Sequence, residues 1–465
     1  MRKKPLIICS SVDIVIALIV ATFAWGRLRG PDAVQARAMA RLNAVQPPAG
    51  MRNAWPSLWL INYAVPPNQT ASVYAHDRQR MQTWIAARMH GSFKPFVSSA
   101  DGQYRKLPAV SAKQHAVLCQ PWRPSGCLAY VRAHTKAVAA VVASQSPRLA
   151  RFQAMRHDNA LWDTLPVSTN APVPPLVPLQ GLWMSSAALT FVRGQHERAL
   201  TSLCINARML RHLHAHTNSM LMAMVIGRWM QANESLLTNM LQATPSGQML
   251  PASCHQAFAP VARVDVNPCP AMQRRYATMR HLALRAYLDQ RRPAWLDWLY
   301  FDRHKNIGTM IAPTFVWPCT QAVRNAMFAD RPVDAYDAPQ AQYGALDIFT
   351  NWDGVQAAEA TTWPLPFARY LKRNENYAAS LRLTAWLIHM HATHAAAVNW
   401  ALALRQARPE LMQAGDRSFT LTADGRHIRM TCYLASDDHD ALVLALPLPS
   451  TPATASKPAP GSVTP

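Results

Sequence analysis

The stretch from Pro5 to Trp25 is apolar except for Cys9, Ser10, Ser11, Asp13 and Thr22; Arg2, Lys3 and Lys4 precede it and Gly26-Arg27-Leu28-Arg29 follows. A helix of ~20 apolar residues rises far enough to span a ~30 Å hydrocarbon core. Two readings compete. Thr22-Phe23-Ala24 would serve as the cleavage site of a signal peptide, but the run is longer than a signal core, and Trp25 with the two arginines forms an interfacial flank. The expectation is an uncleaved signal anchor over residues 5–26. Residues 1–4 then stay in the cytoplasm, which places the chain in a bacterial inner membrane with its body in the periplasm. Asp13 within the span is read as a protonated or interface-reaching carboxylate, or else an intramembrane contact.

No later segment repeats this signal. Ser219 to Gly227 is the next longest apolar run and is too short to cross, so it reads as a buried helix face. The body is long enough for a sizeable core, and 15 Trp, 12 Tyr, 12 Phe and 21 Met exclude a disordered chain despite 36 Pro.

Glycine positions exclude two phosphate-binding loops. No two of the 16 glycines stand two or five positions apart, so neither G-x-G-x-x-G nor G-x-x-x-x-G-K can be written. The only pair at the spacing of a nucleophile elbow, Gly26 and Gly30, brackets Leu28 rather than serine. His196-Glu197 opens an H-E-x-x-H motif, but Leu200 stands where the second histidine is required.

Apolar spacing implies helices over much of the remainder, including Ala33–Ala44, Ala71–Met89, Leu128–Ala143 and Pro147–Met155, and further on about 271–290, 293–302, 319–329, 365–373 and 376–407. Five prolines, Pro166, Pro172, Pro174, Pro175 and Pro178, mark a stiff linker over 166–178. From Leu179 to Leu241 three apolar stripes separated by turns imply antiparallel helices. Within them Trp183, Ala187, Gly194, Ala199 and Leu203 resemble the conserved positions of a tetratricopeptide repeat. Ser186, Thr190, Asn206 and Arg211 depart from that pattern, and no second copy follows at a period of about 34 residues. The segment is read as a helical hairpin only.

Near the end, Phe419 and Leu421, then Asp424-Gly425, then Ile428, Met430 and Cys432 alternate about a turn dipeptide, the signature of a β-hairpin. Ala441–Leu446 offers a third strand. The expected fold is mainly α: a single transmembrane helix, a multi-helix body of αα-hairpins over 31–165, 179–250 and 251–412, a small antiparallel hairpin or meander over 413–446, and a disordered tail over 447–465.

Eight cysteines without a C-x-x-C give no support to zinc-ribbon or thioredoxin-like sites. Cys119 and Cys127 enclose a turn-rich loop that could close as a disulfide, and Cys254 and Cys269 flank a similar stretch. Outside the anchor seven cysteines remain, so at least one stays unpaired.

Two metal sets suggest themselves. His212 and His216 share a helix face at i, i+4, and Asp437, Asp438 and His439 form a carboxylate-rich loop suited to a hard cation. Neither has the full ligand set, and the simpler reading is surface histidines and a polar strand connection. No cofactor is expected.

Net charge is +22. Residues 42–250 carry 19 basic and 6 acidic side chains, whereas residues 251–465 carry 21 and 17. Between Asp101 and Asp158 there is no acid, while Arg105, Lys106, Lys113, Arg123, Arg132, Lys136, Arg148, Arg151 and Arg156 supply nine cations. Such a field attracts anionic lipid or an anionic envelope polymer. No nucleic-acid-binding module appears. The leading expectation is a membrane-anchored binding, scaffold or accessory protein, with protein partners possible. The alternative is an envelope enzyme, a metal-dependent hydrolase using one of the His or Asp/His clusters.

Overall fold

The computed structural model describes residues 5–447 other than 45, 90–91, 93, 121–125, 169–171, 175, 177, 246–247, 289–292, 294–306, 335–336, 363–366, 394–398, 413–416 and 437–438; of the helix and strand residues at 5–11, 283–288, 408–410, 412, 435–436 and 439–440 only the backbone is described. The helix expected over 293–302 and the tail from 448 onward lie outside these residues. The chain is mainly helical, with a small C-terminal antiparallel sheet.

The first helix, α1, runs from Pro5 to Leu28. Among the described residues no helix is long and apolar enough to cross a membrane, and the described side chains of α1 begin at Val12. Asp32 and Gln35 then form a capping box that starts α2, Ala33–Asn43.

One hydrophobic core gathers α3 (Trp55–Trp59), α4 (Thr70–Met89), α5 (Ala112–Val117), α6 (Gly126–Ala133), α7 (Thr135–Ser144), α8 (Ser146–Ala154), α9 (Leu179–Val192), α10 (His196–Ala215), α11 (Met220–Gln242) and α12 (Ala252–Ala257). Leu182, Trp183, Leu189 and Phe191 of α9 are all buried; Gly194, at φ 79°, reverses the chain into α10. α10 buries Leu200, Leu203, Cys204, Ala207, Leu210 and Leu213, the stripe that apolar spacing implied. The core includes Leu161 and Leu165 before the Pro-rich stretch and Leu179 and Leu182 after it, so it is continuous across 166–178. The helix expected over Leu128–Ala143 is two helices, broken at His134.

A second core packs α2 against α13 (Cys269–Leu288), α14 (Ile307–Val316) and α15 (Gln321–Phe328), with the short α16 (Ala345–Thr350) leading to α17 (Trp352–Thr362), which joins this core together with the start of α18 (Ala368–Ala392). α14 has the sequence IGTMIAPTFV, with Pro313 inside it, and every residue from Ile307 to Phe315 is buried. Intrinsic preference does not make this segment helical; burial on all sides does. The end of α1 docks here: Phe23 meets Phe349 of α16 edge to face at 5.9 Å. At Gly26 an added Cβ would stand 2.7 Å from the Thr350 methyl, so glycine sets this close approach.

The third core joins α18, α19 (Trp400–Met412) and strands β1 (Phe419–Leu421), β2 (His427–Ser436) and β3 (His439–Ala445), in sheet order β1-β2-β3, antiparallel throughout. Gly425 takes φ 63° in the hairpin turn, and Asp424 Oδ1 accepts from the Arg426 amide at 3.0 Å. Where breaks near 374–375 were expected, α18 runs uninterrupted from Ala368 to Ala392. A buried ionic node pins the sheet to the helices. Arg417 and Asp330 are both fully buried, with Nε donating to the two carboxylate oxygens at 2.9 Å. Arg417 Nη1 donates to Asn376 Oδ1 at 2.8 Å and to the Thr431 carbonyl at 3.0 Å, and the guanidinium lies 3.7 Å over the Tyr433 ring.

Three disulfides cross the helical body. Cys119 is bonded to Cys127, Cys204 to Cys254, and Cys269 to Cys319. Cys254 and Cys269 are therefore oxidised, but not with each other, as their closeness in sequence had suggested. α12 packs on α10 and brings Cys254 to 4.7 Å (Cα–Cα) from Cys204, while the turn after α14 returns Cys319 to within 5.0 Å of Cys269. Cys432, on β2 and partly exposed, is in none of these disulfides.

Candidate functional site

The nine cations of the acid-free stretch separate into two groups. Arg105, Lys106, Lys113, Arg132, Lys136 and Arg156 are exposed; Lys106 pairs with Asp101 at 2.7 Å. Arg148 is 4% exposed and donates to Gln145, and burial lowers its pKa. Arg151 donates to the carbonyls of Val65 at 2.5 Å and Leu60 at 3.4 Å, holding α8 against the loop after α3. These two work inside the fold. Arg123 lies outside the described residues. Chain order also misleads about where the first helices sit, because α1 docks on α16 and α2 on α14, both in the charge-balanced half.

Of the metal candidates, the structure describes the side chains of His212 and His216 alone. His212 lies in the last turn of α10 and His216 caps it; burial lowers the pKa of both, reinforced at His212 by the His216 charge. Asp437 and Asp438 lie outside the described residues, as does the His439 side chain. Among the described residues no three His, Cys, Asp or Glu side chains are grouped to hold a metal ion.

Between His212 and His216 in sequence, His214 points elsewhere. Its ring stacks on that of Tyr377 from α18 with centroids 3.8 Å apart, and it lines a cleft of about 360 Å³ bounded by α11, α18 and strands β2 and β3. The apolar walls include Met224, Leu434 and Leu442, while Arg228 and Arg373 stand exposed on α11 and α18 at its rim. No acidic side chain is among its described lining residues. Asn374, 2% exposed, also lines it, and neither its Oδ1 nor its Nδ2 has a hydrogen-bond partner among the described residues.

Behind the cleft runs a buried polar seam. Arg211 of α10 grips Asp265 through Nε at 3.0 Å and Nη2 at 2.7 Å, and donates to the carbonyls of Ala257, Ala259 and Pro260. Glu234 of α11 is wholly buried. Burial pushes its pKa up to about 8, against the opposing pull of the Ser380 hydroxyl and the Arg211 charge. Burial holds His214 down to about 4 and drives Tyr377 well above 10.0. At neutral pH this seam therefore holds a protonated carboxyl, a neutral imidazole and a neutral phenol. Such groups donate and accept hydrogen bonds without a nucleophilic charge.

None of Asn374, Glu234, Tyr377, Arg228 or Arg373 was singled out from the sequence. One signal was available. The chain has five glutamates, and two of them, Glu234 and Glu375, sit within buried runs of the long helices α11 and α18. Comparison with protein-family models, curated proteins and solved structures finds no match to this chain.

Proposed function

We propose that this chain is a single-pass membrane-anchored binding protein whose helical body stands in an oxidising extracytoplasmic space and contacts anionic lipid or polymer through exposed cations. One observation carries the reading. From Val12 to Val20 every described residue of α1 is exposed, and seven of them, Val12, Ile14, Val15, Ile16, Leu18, Ile19 and Val20, are large and apolar. A helical stretch apolar but for Asp13 and uncovered by protein is better accommodated by hydrocarbon than by water. Three disulfides agree with an oxidising compartment. The partners of Arg105, Lys106, Lys113, Arg132, Lys136 and Arg156 would be phosphate or carboxylate groups.

Two measurements test this. Alkaline extraction of membranes should leave the full chain in the pellet, and a reporter fused after residue 450 should respond as extracytoplasmic; release into the supernatant removes the anchor. Reconstituted chain should recruit anionic vesicles at low salt and lose them at high salt. Equal recruitment of neutral vesicles removes the role of the cations.

A further inference from the structure

We infer that the cleft between α11, α18 and the sheet binds a small peptide-like carboxylate: a molecule with one amide group, an apolar side chain and a terminal carboxylate. The centre of the argument is Asn374. A buried amide with both its donor and its acceptor unpaired is disfavoured unless a ligand or water completes it. The carbonyl and N–H of a secondary amide offer the matching acceptor and donor, and the neutral His214 ring beside them adds a further polar contact.

The rest of the cleft narrows the class. Arg228 and Arg373 place two guanidinium groups at the rim, and a guanidinium suits a carboxylate held through paired N–H donors. Met224, Leu434 and Leu442 form an apolar wall for a side chain. At about 360 Å³ the cleft has the size of a small-molecule site, too small for a folded partner. The site stands apart from the exposed cations of residues 105–156, so it fails or holds independently of binding to anionic surfaces.

The test uses the full chain in detergent and calorimetry with a series of N-acetylated apolar amino acids, their C-terminal amides, and inorganic phosphate. The acids should bind, and the amides should bind at least tenfold more weakly. Arg228→Gln with Arg373→Gln changes only exposed side chains and should weaken the acids tenfold or more. Asn374→Leu should abolish binding while leaving the melting temperature equal or higher, because it removes an unpaired amide from the interior. If that variant does not fold, the arginine pair decides alone. Absence of binding across the acid series, equal binding of acids and amides, equal binding of phosphate, or unaltered affinity in the folded variants each overturns the inference.

Discussion

Replacing Glu234 by Gln should change how stability responds to pH. The folded pKa is about 8 against an ordinary 4.5, so folding takes up a proton between these values. The stabilisation is complete below pH 4.5 and is lost as pH rises through 8. Between pH 6.5 and 8.0 such a group loses about 1–2 kcal/mol at ~1.4 kcal/mol per pKa unit. Glu375, buried beside the Val333 amide and pushed to about 8 by burial, loses a similar amount. His214 runs the other way. Its folded pKa is about 4 against 6.5, so its contribution is present above pH 6.5 and lost toward pH 4; over the same interval it returns well under about 1 kcal/mol. The native chain should therefore lose about 3 kcal/mol from pH 6.5 to 8.0, and Glu234→Gln, which mimics the protonated acid and cannot ionise, about 1 kcal/mol. Urea unfolding of the disulfide-intact chain in detergent, followed by tryptophan fluorescence at three pH values, measures both slopes. Identical slopes would refute the reasoning, since they would mean that Glu234 is already ionised at pH 6.5.

Non-reducing peptide maps should recover Cys204 linked to Cys254 and Cys269 linked to Cys319, with no peptide joining Cys254 to Cys269. Replacing Cys204 and Cys254 by Ala opens a loop of 50 residues, and the chain-entropy relation gives a loss of about 4 kcal/mol in chemical denaturation. Asp330→Ala strands the buried Arg417 guanidinium and should cost about 3–5 kcal/mol, whereas Arg417→Met together with Asp330→Leu should cost much less. Gly425→Val puts a β-branched residue at positive φ; a loss of about 1–2 kcal/mol is expected in the same denaturation measurement.

How much of the fold was legible depended on the range of the interactions. The stripes of α9 to α11 were readable because a helix repeats its buried face every three to four residues, and Gly194 marked the turn between two of them. The hairpin was readable because Asp424-Gly425 carries its own turn geometry. α14 was not readable, since Pro313, Gly308 and its β-branched residues argue against a helix and only surrounding side chains impose one. The continuity of α18 through Asn374 and Glu375 was not readable for the same reason: both polar side chains are buried by the helices packed around them, which no local pattern announces. Of the candidate site, the exposed cations were visible as composition, but Arg148 and Arg151 could be told from the others only by the carbonyls and amide that hold them.

The sequence by itself determined the apolar amino-terminal helix, the helical character of the body, the C-terminal hairpin, the excess of basic side chains and the presence of an odd cysteine. Each follows from short-range spacing or from counting, which needs no partner. Tertiary structure alone decided that Cys204 pairs with Cys254 and Cys269 with Cys319, that Arg151 is held inside the fold, that α1 docks on the charge-balanced half, and that Asn374, His214 and two arginines meet around one cleft. Those outcomes depend on contacts between residues 50 to more than 150 positions apart, and pairing at that range is set by the packing of whole helices rather than by any local pattern.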